Sequence, residues 1–319
     1  MTFIKDLKDG QRVSSVYLCK QKNTALTKNG KEYYNVSVQD KTGNIDVKVW
    51  EINSPGIRDF EAKDYIEITG RVASFNGALQ ISAESIRVIN PEEIDVKEFF
   101  PVSEKNTDDM YSELMKLIES VKNDYLKKLL KSFFVDDENL KKSFIAHSAA
   151  KTVHHSFIGG LLQHTLAVTK ICDYFSSIYP ILNRDLLISA AMLHDIGKTK
   201  ELSVFPENDY TDDGNLLGHI VIGVEMINEN ISKIEDFPKT LASELKHCVV
   251  AHHGELEFGS PKKPSLVEAI ALSFADNTDA KIQTISEAFN AKEDKGMQWL
   301  GYNKFVDSNI RRTHETWDN

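Results

Sequence analysis

His194-Asp195-Ile196-Gly197-Lys198 decides how the larger part of this chain must fold. It closes an apolar run, Leu186–Leu193, whose spacing predicts a helix, and Gly197 frees the backbone at that helix's end. A His-Asp doublet sets two ligand types side by side, so the carboxylate can bridge two metals while the imidazole holds one. Upstream, His164 sits on the apolar-periodic run Leu161–Phe175. Downstream, His219 opens a helical stretch, Ile220–Ile227, and His252-His253 follow Val249-Val250-Ala251. Asp276 falls at the expected end of a helix beginning near Leu266. Taken singly, each has a structural explanation. A lone histidine is usually a surface or core residue, as expected for His147, His247 and His314. Asp195 alone would be a helix-end carboxylate and Asp276 a cap. The joint pattern argues otherwise, because the donors belong to separate apolar helices that must converge on a common core.

Neutral imidazole and carboxylate together suit Mn²⁺, Fe²⁺, Co²⁺, Ni²⁺ or Zn²⁺. No cysteine is among these donors, which argues against a closed structural zinc site. Two adjacent metals with open positions are the usual apparatus for attack of water on a phosphoryl group. The C-terminal half is therefore expected to hydrolyse a phosphoester.

The chain has 319 residues, 41% hydrophobic and 27% charged, which suits a globular protein of two domains. No apolar run is long enough for a bilayer span, so no membrane partner is expected. Met1–Gly10 lacks the apolar core of a signal peptide. Cys19, Cys172 and Cys248 are scattered and odd in number, which points to a reducing compartment, the cytoplasm. A net charge of −10 argues against nucleic-acid binding by the whole surface but leaves room for a local groove.

Residues 1–90 read as β. Tyr34, Val36 and Val38 alternate with Tyr33, Asn35, Ser37 and Gln39, and Ile45, Val47 and Val49 alternate with Asp46, Lys48 and Trp50. Ile66, Ile68, Val72, Leu79 and Ile81 continue the period of two. Asn29-Gly30, Thr42-Gly43-Asn44 and Asn76-Gly77 supply the turns. About five short strands in so small a module predict a Greek-key barrel of the oligonucleotide-binding (OB) type. On its polar face lie Tyr33, Lys48, Trp50 and Arg71, with Phe75, Lys28 and Lys31 nearby. OB folds bind single strands by stacking bases on aromatics within a basic groove, so Lys48, Trp50 and Arg71 are candidate substrate-binding residues. The alternative for such aromatics is cross-strand packing.

Residues 91–107, with Pro91, Pro101 and a run of acids, read as a linker, and 108–290 as an all-helical domain capped at its start by Asp108 or Asp109. The tail, 291–319, carries Trp299, Tyr302, Phe305 and Trp317. Such aromatics dock on the body of the chain or on a sister subunit, so an oligomer is one arrangement the sequence allows. The expected fold class is multidomain, a β barrel followed by an all-α domain.

The order His … His-Asp … Asp resembles the HD-domain metal-dependent phosphohydrolases, an all-helical family. His219 and His252-His253 resemble its dinuclear branch, which includes the HD-GYP cyclic-dinucleotide phosphodiesterases, although no Gly-Tyr-Pro follows His252-His253. From the barrel to Asp276 the chain looks like the YhaM family of bacterial 3′-to-5′ exoribonucleases, an OB fold joined to an HD domain. The most specific segments are His154-His155-Ser156-Phe157-Ile158-Gly159-Gly160-Leu161-Leu162-Gln163-His164-Thr165 and His194–Lys198. The resemblance implies manganese-dependent removal of nucleoside 5′-monophosphates from single-stranded RNA, with some action on single-stranded DNA. On this reading His164, His194, Asp195 and Asp276 hold one ion, and Asp195, His219, His252 and His253 hold the other. Asp195 bridges, and Lys198 neutralises charge developing on a phosphate oxygen; a solvated helix-end cation is its structural alternative. His154 and His155 are placed to reach a substrate phosphate or simply to cap the fold. The rival functions are an HD-type hydrolase of mononucleotides or cyclic dinucleotides, and a non-catalytic nucleic-acid-binding protein.

Overall fold

A computed structural model describes residues 1–27, 29–75, 77–100, 102–103, 105–151, 155, 157–205, 207–290 and 298–313. Lys28, Asn76, Pro101, His154, Ser156, His314 and Trp317 lie outside the described residues. The chain forms two compact units, Met1–Val102 with Phe205–Glu207, and Ser103–Val204 with Asn208–Asn319.

The first unit is a closed five-stranded barrel. Its strands are β1 (Arg12–Leu26), β2 (Glu32–Asp40), β3 (Gly43–Val49), β4 (Tyr65–Phe75) and β5 (Ala78–Ile89), in the order β1-β2-β3-β5-β4. The β3–β5 seam is parallel, while the other strand pairs of the barrel are antiparallel. The alternation read from the sequence is the inward phase: Val36, Val38, Val47, Val49, Ile66, Ile68, Val72 and Ile81 are buried, whereas Leu79, near the start of β5, is exposed. β1 was not legible as a strand. Its inward positions mix Val13, Ser15, Tyr17 and Cys19, and burial fades along its second half. Burial of apolar area at roughly 25 cal/mol per Å² is what holds such a barrel closed.

Within 91–107, Asn90 caps a 3₁₀ turn at Pro91–Glu93 and Asp95 caps another at Val96–Phe99. Phe99 and Phe100 are buried, Phe99 edge-on to Tyr65 at 4.8 Å between ring centres.

The second unit is helical: α1 (Thr107–Ser120), α2 (Asp124–Phe134), α3 (Glu138–Ala146), α4 (Gly160–Ile178), α5 (Arg184–Leu193), α6 (Lys198–Glu201), α7 (Asp212–Ser232), α8 (Lys239–Val250) and α9 (Val267–Asn290). The cap of α1 is Asn106, whose side-chain oxygen accepts from the N–H groups of Asp108 and Asp109 at 2.8 and 3.2 Å. The two aspartates expected as caps instead occupy the first turn, where a carboxylate meets the positive end of the helix dipole. α5 is buried all round, from Leu186 to Leu193, and forms the centre of the unit with α4. A helix with no polar face can sit only inside a core. Asp276 is inside α9, not at its end. Beyond Ala275 no position of α9 is fully buried, so the apolar period fades while the helix continues.

A hairpin, β6 (Trp299–Asn303) with β7 (Ser308–Arg311), occupies the tail. Trp299, Tyr302 and Phe305 are exposed on the single chain and do not pack into its body, and the Arg312 guanidinium lies over the Phe289 ring of α9. No helix among the described residues is long and apolar enough to cross a membrane.

Candidate metal centre

Five helices or helix ends bring the predicted donors together. His164 comes from the first turns of α4, and His194-Asp195 from the end of α5. His219 comes from α7 just after a break at Gly218, His252-His253 from the end of α8, and Asp276 from the middle of α9.

The donors form two sets that meet at Asp195. His164 Nε2 lies 3.4 Å from Asp195 Oδ2 and 3.2 Å from Asp276 Oδ1, and His194 Nε2 lies 3.3 Å from Asp195 Oδ2. The other oxygen, Asp195 Oδ1, faces His219 Nε2 at 3.5 Å and His252 Nε2 at 3.8 Å. His219, His252 and His253 form a close cluster of their own. Ligands about 2.1 Å from one ion stand roughly 3.0–3.4 Å apart, close to these separations. Asp195 Oδ1, His219 Nε2 and His252 Nε2 are buried without a hydrogen-bond partner. Buried polar atoms are normally paired, and three orphans turned toward one another are what a cation would satisfy. The donor set fits divalent metal.

The remaining ring nitrogens explain why the Nε2 lone pairs face inward. The Nδ1–H of His194 donates to Ala191 O at 2.7 Å, that of His252 to Val249 O at 2.6 Å, and that of His253 to Phe258 O at 2.8 Å. His164 Nδ1 donates to Asp279 Oδ2 at 2.7 Å and His219 Nδ1 to Glu201 Oε1 at 3.1 Å. Partners of this kind fix tautomer and ring orientation.

Burial, reinforced by the neighbouring imidazoles of His194 and His253, which disfavour a further proton, holds His252 well below the usual imidazole range. His253 is lowered by burial and by His219. Both are thereby neutral near pH 7, the form a metal requires. Burial disfavours the charged forms of Asp195 and Lys198, yet each stabilises the other: the carboxyl is held well below its usual range and the ammonium above its own. Their Oδ2–Nζ distance is 2.7 Å. Lys198 is therefore an enclosed ion-pair partner of Asp195 and not a solvated helix-end cation.

His155 is 1% exposed, with Nε2 at 2.9 Å from Asp279 Oδ2 and its ring centre 5.2 Å from that of His164. It is buried beside His164 and shares Asp279 with it. His147 is buried with Nε2 3.0 Å from Leu202 O, and His247 accepts from the Ser265 N–H. Burial pushes the Cys248 thiol up to about 12, so it supplies no thiolate. Asp279 and Glu201 were missed. The only signal was that Asp279 lies three residues beyond Asp276, on the same helix face.

On the barrel, Lys48 and Trp50 line a groove of about 600 Å³ with Tyr33 and Phe75. Tyr33 and Trp50 pack at 4.7 Å between ring centres, and Trp50 remains 40% exposed. The Lys48 ammonium is bonded to Asn35 and lies 3.2 Å from Asp46, so its charge is already balanced. Arg71 does not line this groove; it pairs in register with Arg12 and Ser82.

Residues 161–281 match the HD domain family and residues 12–89 the OB-fold nucleic acid binding domain family. Among solved structures, the second OB-fold domain of replication protein A from Methanococcus maripaludis is 20% identical over 28% of this chain and 94% of its own, with a TM-score of 0.23. An OB domain from Thermoplasma acidophilum is 23% identical over 28% and 88%, with a TM-score of 0.22. A replication protein A heterotrimer bound to single-stranded DNA is 21% identical over 28% and 66%, also at 0.22. An HD domain indicates a metal-dependent phosphohydrolase, and its union with an OB-fold module supports a hydrolase that acts on nucleic acid.

Proposed function

We propose that this chain is a metal-dependent 3′-to-5′ exoribonuclease, acting on single-stranded RNA, and on single-stranded DNA to a lesser degree, to release nucleoside 5′-monophosphates. The observation that carries the hydrolytic part is Asp195, with one oxygen turned to each histidine set, and with its own Oδ1, His219 Nε2 and His252 Nε2 all buried and lacking partners. The resemblance to the YhaM family through His154–Thr165 supports the direction of attack and manganese as the ion.

One position would be formed by His164, His194, Asp195 and Asp276, the other by Asp195, His219, His252 and His253. When bound, two divalent ions supply Lewis acidity toward a phosphate and activation of water. The chain's own residues prepare the site. Carbonyl and carboxylate acceptors fix five imidazoles in the tautomer that presents Nε2. Lys198, next to the bridging carboxylate, places a positive charge where a phosphate oxygen gains negative charge in the transition state. Tyr33, Trp50 and Phe75 offer π faces to the bases of a single strand.

Incubating the protein and Mn²⁺ with 5′-labelled single-stranded RNA tests the reading. A ladder shortening from the 3′ end and release of 5′-monophosphates are expected. Equal degradation of a 3′-blocked RNA would replace the exonuclease with internal cleavage, and turnover of free nucleotides alone would favour the mononucleotide hydrolase.

A further inference from the structure

The five imidazoles are not held alike. His194, His252 and His253 rest on backbone carbonyls, whereas His164 and His219 rest on carboxylates, one in each donor set. The His219 arrangement has a further peculiarity. At Gly218 the backbone turns to φ 73°, ψ 159°, which breaks α7 and restarts the helix at His219. Only glycine adopts such a conformation without strain. A restarted helix leaves its first N–H groups without carbonyl partners. Glu201 Oε1 accepts the His219 backbone N–H at 3.0 Å and its Nδ1–H at 3.1 Å. One buried carboxylate oxygen thus caps the new helix and sets the ring on the same residue.

We infer that Glu201 is a positioning residue that sets metal affinity at the His219–His252–His253 position without setting it at the other. Among the described donors, its side chain hydrogen-bonds to His219 alone. Its own backbone is tied to the start of α7, since Glu201 O accepts the Thr211 N–H at 2.9 Å. Removing the carboxylate frees both the cap and the ring, and His219 Nε2 loses its aim at Asp195 Oδ1. The first position keeps its anchors, Asp279 for His164 and Ala191 O for His194. A lost partner behind a metal-binding histidine costs about 10–100-fold in affinity.

The inference rests on the two-ion reading above, and the experiment separates the two. Mn²⁺ is titrated into metal-free wild type, Glu201→Ala and Glu201→Gln, by calorimetry, with electron paramagnetic resonance for the spin coupling of paired ions. Wild type should bind two coupled ions. Glu201→Ala should bind one ion with wild-type affinity and the second about 10–100-fold more weakly, with uncoupled spectra at low Mn²⁺. Glu201→Gln, whose amide oxygen accepts both bonds, should restore the coupled pair. Fewer than two ions in wild type would sink the two-ion reading itself. Two tight ions in Glu201→Ala, or equal weakening of both, would overturn the role given to Glu201. Should Glu201→Ala fail to fold, Glu201→Asp serves instead. It keeps the charge but is one methylene short, so wild-type affinity in that variant would equally overturn the inference.

Discussion

Adding one methyl group at Gly197 tests the geometry of the centre without removing any group from it. A Cβ built there lies 2.0 Å from His219 O and 2.7 Å from Gly223 N. Ordinary van der Waals contact begins at 3.4 Å, so the His219 carbonyl must retreat by about 1.4 Å or the segment carrying Lys198 must move instead. Both contacted atoms are backbone, and no side-chain rotation relieves them. Either movement changes the separation of His219 Nε2 from Asp195 Oδ1, now 3.5 Å. Metal–ligand distances tolerate only about 0.2 Å. Gly197→Ala should therefore lose about 10–100-fold in affinity at the His219 position, and misplacement of about 1 Å should cost about 10²-fold in turnover. Calorimetric titration with Mn²⁺ and a melting curve, run together, give the result. A folded variant that binds both ions as wild type does, with turnover within twofold, would refute the claim that this close approach positions His219.

Three further outcomes are expected. Lys198→Ala should keep its ions while turnover on RNA falls by about 10²-fold, the usual cost of one group that meets developing negative charge; unchanged turnover would reduce Lys198 to a structural ion pair. Trp50→Ala should weaken single-strand binding by about 1–3 kcal/mol and barrel stability by about 0.5–1.5 kcal/mol through the lost Tyr33 contact; a large fall in melting temperature with unchanged affinity would make it a packing residue only. Burial holds His147 below the usual imidazole range, so the folded state binds its proton less readily than the unfolded chain. Its contribution to stability is full above about pH 6.5 and is lost as pH falls through the folded value. His147→Gln should accordingly flatten the acid side of the stability–pH curve in denaturant titrations, and a superimposable curve would exclude that role.

The parts of this structure legible in sequence are those whose signal is local. Val36, Val38, Val47 and Val49 announce their strands because period two survives wherever one face is buried. His164, His194, His219 and His252 were legible because each sits within or at the end of an apolar helical run that has to be buried. The unread parts depend on partners distant in the chain. Asp279 acquires its role from His164, 115 residues away, and Glu201 from His219, 18 residues away. An acid on a half-polar helix says nothing of such a partner. Lys48 was legible as an outward lysine of β3, but its closure onto Asn35 and Asp46 depends on strand register and side-chain reach.

Resting imidazoles on two kinds of acceptor divides the centre into what mutation can and cannot reach. The carbonyls of Ala191 and Val249 persist whatever side chain stands at those positions, provided the helices form. His194 and His252 are thus shielded from drift in their supports. Asp279 and Glu201 are side chains, and a single base change can lengthen, shorten or neutralise either. Descent with modification could therefore retune one ion's hold at a time, through His164 or through His219, while the scaffold of the pair stays heritable and fixed.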